Sequence, residues 1–161
     1  MVTEDFGGII VDSVHDVFET LIYILPEESP PRDTDETRIE GELISTIYIS
    51  GDVNGIVTMA CPWNIGEVLT RNMLGTDEKS LSRAEVADCA GEIVNMVAGN
   101  IKTRCIEAGV HFTLSIPTVS SGRELVLSCN DDLRGIRIPF LVEGEEVVFQ
   151  VMVKDSSPTL A

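Results

Sequence analysis

The stretch from Ser82 to Gly109 leaves the backbone little choice. Ser82 followed three residues later by Glu85 is a capping box, in which each side chain satisfies an orphan N–H of a helical first turn. Leu81 and Val86 can close over that box as a hydrophobic staple, and Gly109 stands where a left-handed residue would end the helix. Between these signals Val86, Ala90, Ile93, Val94, Val97, Ile101 and Cys105 recur close to the helical period. The pattern predicts one long helix with a buried stripe.

The opposite face is less ordinary. Asp88, Glu92, Asn95 and Gly99 follow at i, i+4, i+7 and i+11, a line facing away from the apolar stripe, with Gly91 beside it. An interior glycine costs about 1 kcal/mol relative to alanine. Two of them in an exposed helix suggest a close approach to the backbone; the plainer alternative is a solvated polar face with glycines kept for packing.

Composition narrows the classes. At 161 residues the chain is read as one domain, residues 1–161, long enough to bury a substantial core. Its 27 acidic against 11 basic residues, net −16, argue against nucleic acid and against an anionic membrane surface as partners. No apolar run approaches a membrane span and the N-terminus lacks a basic start, so a cytoplasmic location is expected. Cys61, Cys89, Cys105 and Cys129 are widely spaced in apolar settings and read as buried thiols, while His15 and His111 stand alone. No metal site is expected.

The rest of the chain supplies a scaffold. A first amphipathic helix is predicted from about Gly8 to Leu25, its stripe formed by Ile10, Val14, Val17, Phe18, Leu21 and Leu25. Residues 26–37 read as a polar, proline-rich, solvated connector. A hairpin over Arg38–Ser50 and Gly55–Cys61 precedes a short helix opened by Pro62 and ending at Leu74. Trp63, at its start, reads as a core or interface anchor. Extended runs follow the long helix at Phe112–Val119, Arg123–Cys129, Gly135–Val142 and Glu145–Lys154, the last two joined by Glu143-Gly144. Pro139 suggests an edge or a bulge, and the tail from Asp155 is expected to be flexible. This order predicts an α+β fold, an antiparallel-rich sheet of about six strands with three helices on one face.

The run Asp88-x-x-x-Glu92-x-x-Asn95, with Pro117 about 22 positions after the asparagine, resembles the signature of the CheC/CheX/FliY chemotaxis phosphatases. The likeness continues from Gly91 to Met96, through Ala98-Gly99, and from Pro117 to Arg123. One motif and single-domain length resemble the CheX branch, and the flanking hairpins fit the pseudo-symmetric halves of that family. Two-motif members carry a second Glu-x-x-Asn in the first helix, whereas here Glu19 is followed three positions later by Ile22.

A neutral asparagine is a poor base, but its amide can hold a water by donating and accepting hydrogen bonds. That suffices where the phosphoryl group is activated elsewhere, because phosphoryl transfer depends mostly on positioning and charge neutralisation. The resemblance implies a phosphorylated CheY-type response regulator as substrate, with Mg2+ and a lysine supplied by that partner and no cofactor in this chain. It implies that Asn95 orients the attacking water, that Glu92 pairs the regulator's lysine, and that Asp88 supports docking. It further implies that Gly91 and Gly99 let two backbones come close, and that Pro117 shapes a strand start without doing chemistry. A homodimer joined edge to edge is expected on the same ground. The competing readings are a non-catalytic scaffold of chemotaxis or flagellar-switch type, and a small-ligand sensor.

Overall fold

A computed structural model describes residues 2–28, 32–34, 38–129 and 132–154. Three helices, α1 (Val2–Val17), α2 (Trp63–Leu74) and α3 (Arg83–Glu107), lie against an antiparallel sheet. Its strands are β1 (Glu27–Glu28), β2 (Arg32–Thr34), β3 (Arg38–Gly51), β4 (Gly55–Cys61), β5 (Phe112–Leu114), β6 (Thr118–Ser128), β7 (Leu133–Val142) and β8 (Glu145–Lys154). The order is β1-β7-β8-β4-β3-β5, with β2 also on β7 and β6 also on β3.

Alternation along the strands decides which side each residue serves. Leu43, Ile47 and Ile49 of β3, Val57 and Met59 of β4, and Phe149 and Val151 of β8 enter the core beneath the helices. The same core takes Ile10, Val14 and Phe18, Ile65 and Leu69 of α2, and the whole stripe from Val86 to Cys105. Burying each large apolar side chain contributes roughly 1.5–3 kcal/mol. Phe18, Phe140 and Phe149 pack together with centroids 5.8–6.4 Å apart, Phe18 stacked on Phe140 and both edge-to-face with Phe149, and pin the start of the chain to β7 and β8. On the other side of the sheet, Leu125 and Leu127 of β6 fold over Ile39, Ile44, Ala60 and Val148. A register shift between Gly41 and Leu43 interrupts the β3–β6 ladder.

The α+β class, the three helices and the antiparallel sheet agree with expectation, with β3, β4, β6, β7 and β8 as its longer strands, and three local readings are corrected. Residues 26–37, expected to be a solvated connector, contribute β1 and β2, both paired with β7. These pairings leave Ile138 and Pro139 between them, so Pro139 sits where neither short strand needs a backbone donor. The first helix starts earlier, at Val2, and widens into a π turn over Phe18–Ile22. The chain leaves that turn through Tyr23 in the left-handed conformation, φ 58°, which removes Leu25 from the stripe and leaves it 72% exposed. Finally, the runs Phe112–Val119 and Arg123–Cys129 divide differently: the break falls at residues 115–117, and β6 is continuous from Thr118 to Ser128.

The Glu143-Gly144 hairpin is as expected, with positive φ at both residues, 51° and 80°. Among the described residues no helix is long and apolar enough to cross a membrane. The tail from Asp155 lies outside the described residues.

Candidate active site

Both ends of α3 are closed as its sequence requires. The Ser82 hydroxyl accepts the Glu85 N–H at 3.1 Å, and the Glu85 carboxylate accepts the Ser82 N–H at 2.8 Å. At the other end Gly109, φ 83°, carries the chain out while the Val110 N–H reaches back to the Cys105 carbonyl at 2.9 Å.

Side chains then fix the helix against its neighbours. Arg83 lies over the Trp63 ring at 5.3 Å and donates to the Ser121 hydroxyl at 3.4 Å, tying the N-terminus to α2 and β6. Trp63 is thus an internal anchor, its backbone N–H held by Glu42 at 2.7 Å and its indole by Glu67 at 3.1 Å. Arg104 pairs with Asp16 at 2.6 Å and donates to the Ser13 hydroxyl at 3.1 Å, tying the C-terminal half to α1. A helix held at both ends presents its outer face in a single orientation.

That face carries Asp88, Glu92 and Asn95, all exposed, with Gly99 half-buried on the same line. Glu85 adds a third exposed carboxylate one turn before Asp88. The negative charge is felt by the thiol beneath it. Burial pushes the Cys89 thiol up from its ordinary value, a hydrogen bond with Thr70 works against the rise, and Asp88, Glu85 and Glu92 add to it. Cys61 is driven further, to about 12, by burial and then by the Glu42 charge, with a backbone hydrogen bond from Gly66 opposing. Cys61, Cys89 and Cys105 are buried and Cys129 is half-buried.

The two glycines serve different ends. Gly99 is open: a Cβ there would meet nothing within 4 Å. Gly91 is buried, and a Cβ there would lie 3.3 Å from Val119 Cγ2 and 3.5 Å from Pro117 Cγ. The expectation that Gly91 admits a visiting backbone is therefore corrected: its missing side chain makes room for Pro117 and the start of β6. Pro117 accordingly stands immediately before β6 and packs on the helix, joining the two distant halves of the motif.

Two exposed apolar side chains beside this face were not singled out from sequence: Met96, 38% exposed, and Ile116, 86% exposed. Reading Phe112–Val119 as one strand hid Ile116, although a residue preceding proline is a signal for such a break. A cavity of about 900 Å³ lies on the other side of the sheet, lined by residues such as Arg38, Ala60, Arg123 and Val148, and none of the site residues borders it. Among the described residues no three of His, Cys, Asp and Glu converge as a metal cluster would.

Comparison with known proteins bears on the family and the fold. The family model described as chemotaxis phosphatase CheX matches residues 43–141, which contain α3, Pro117 and most of the sheet. The chain belongs to the CheX chemotaxis phosphatase family. The CheY-P phosphatase CheX of Thermotoga maritima is 24% identical over 85% of this chain and 87% of its own length. The chemotaxis protein CheX of a Desulfovibrio desulfuricans subspecies shares the fold, with a TM-score of 0.85 at 22% identity over 93% of this chain and 99% of that one. A CheX–CheY–BeF3–Mg2+ complex from Borrelia burgdorferi is similar at a TM-score of 0.74 and 15% identity, over 92% of this chain and 97% of that one.

Proposed function

We propose that this chain removes the phosphoryl group from the aspartyl phosphate of a CheY-type response regulator. The observation that carries the reading is the exposure of Glu92 and Asn95 together on the outer face of a braced helix, in a member of the CheX family. An exposed helix face suits a substrate that arrives as a folded protein with its own cleft.

In this reading Asn95 enters the regulator's active site and its amide holds a water in line with the acyl phosphate. The water oxygen bonds to phosphorus as the bond from phosphorus to the aspartyl oxygen breaks. The electron pair stays on the regulator's carboxylate, and inorganic phosphate leaves with the oxygen and both protons of the water. Glu92, one turn before Asn95, pairs with a lysine of the regulator and sets the docking register, with Asp88 and Glu85 adding to the field that attracts it. Mg2+ belongs to the regulator's half of the site. The CheY-P phosphatase name of the Thermotoga relative and the CheX–CheY complex of Borrelia support the choice of substrate.

Turnover separates this reading from a scaffold. Added at about one-hundredth of the concentration of a phosphorylated CheY-type regulator, the protein is expected to empty the whole phosphorylated pool faster than the regulator's own decay. Loss of only a stoichiometric fraction would favour the scaffold. Edge-to-edge pairing of two copies is part of the same reading: among the described residues β6 pairs only β3, leaving its outer edge open. Light scattering is expected to give twice the 17.5 kDa of one chain, and a monomer at all concentrations would remove this element.

A further inference from the structure

Ile116 is an apolar residue set out in solvent by a rigid mount. Its predecessor Ser115 is held to β3 twice, the Ser115 N–H donating to the Tyr48 carbonyl at 3.0 Å and the Tyr48 N–H to the Ser115 hydroxyl at 2.9 Å. The same hydroxyl donates to the Ile116 carbonyl at 3.0 Å. Its successor Pro117 packs on α3 at Gly91 and restricts Ile116 to extended conformations. A β-branched side chain on so constrained a backbone loses little further freedom on contact.

Its place relative to the site follows from the direction of β6. Val119 lies at Gly91 and Ser121 at Arg83, so β6 runs toward the N-terminus of α3. Ile116, which precedes it, therefore falls on the Asn95 side of Gly91. At about 3.6 residues per turn, Gly91 and Met96 bound an arc of the helix surface, and Glu92 and Asn95 lie within it. Ile116 flanks the pair on the Pro117 side and Met96 on the other. The acid line Glu85, Asp88 and Glu92 completes a surface that is apolar at its flanks and negative along its ridge.

We propose that Ile116 is the apolar docking anchor that seats a phosphorylated receiver domain against Glu92 and Asn95, with Met96 as a smaller second contact. The inference rests on the phosphatase reading for the identity of the occupant. The receiver domain presents an apolar patch beside its phosphoaspartate to Ile116 and its lysine to Glu92. Ile116 acts on binding and not on the chemical step.

The test uses the full chain with a CheY-type regulator in two forms, phosphorylated with phosphoramidate and Mg2+ for turnover, and trapped with beryllofluoride for binding. Ile116→Ser is expected to raise Kd and KM about tenfold with kcat within twofold of wild type, while Ile116→Val stays near wild type in both. An unchanged melting temperature excludes a folding cause, since the side chain is in solvent. A Kd for Ile116→Ser equal to that of wild type overturns the proposal. Wild type that binds the trapped regulator without turning over the phosphorylated one sinks the phosphatase reading, and the anchor is then judged on Kd alone. Wild type that binds neither form sinks both.

Discussion

Glu19 and Glu92 open the same three-residue interval in two helices, and the backbone treats them in opposite ways. In α3 the helix is regular and Asn95 joins Glu92 on the exposed face. In the first helix the chain widens over Phe18–Ile22, its hydrogen bonds reaching five residues back where an α-helix reaches four. Glu19 is exposed there and Ile22 is fully buried. The third position after Glu19 is therefore a core position, where the third position after Glu92 lies on the surface.

The most damaging way to challenge this contrast is Ile22→Asn, which restores Glu-x-x-Asn in the first helix. It is expected to cost about 3 kcal/mol, from lost apolar burial and an amide placed where nothing apolar can answer it. Urea denaturation reads the loss, and turnover per folded molecule is expected not to rise. A stable variant with raised turnover would show the first site to be only one substitution from use. Next comes the pair of charge reversals. Glu92→Lys is expected to raise KM for the regulator about tenfold through like-charge contact with its lysine, while Glu19→Lys leaves KM where it was. Equal effects from the two would erase the distinction between the helices. The smallest effect separates the glycines of α3. Gly99→Ala is expected to raise stability by up to about 1 kcal/mol, because nothing lies near its Cβ position. Gly91→Ala gains less, because its methyl meets Val119 and Pro117. A thermal-melt ranking in the reverse order would contradict the packing described at Gly91.

What the sequence disclosed follows the range of the forces involved. The ends and stripe of α3 depend on neighbours within one or two turns, so Ser82, Glu85, Gly109 and the residues from Val86 to Cys105 announced it. The exposed line of Asp88, Glu92 and Asn95 followed from the same period. The strands at Glu27–Glu28 and Arg32–Thr34 form because β7 lies beside them more than a hundred residues later, and nothing in their polar composition carries that pairing. The π turn over Phe18–Ile22 likewise left no mark in the local apolar period, because i and i+4 share a face in a regular helix as well. Gly91 was misread because a glycine beside an exposed line looks the same in sequence whether its space is kept for a partner or filled by the chain's own proline. Ile116 was missed because five apolar or β-branched residues around it suggest a strand, although Pro117 marked the break.

The central claim, that Asn95 completes a site of which the regulator holds the other half, is tested most directly by Asn95→Ala in a phosphate-release assay on a labelled CheY-type regulator. The account predicts an unchanged melting temperature, binding of the beryllofluoride form within a few-fold of wild type, and release slowed by about a hundredfold or more. A folded Asn95→Ala protein that strips phosphate from the regulator as fast as wild type would contradict it.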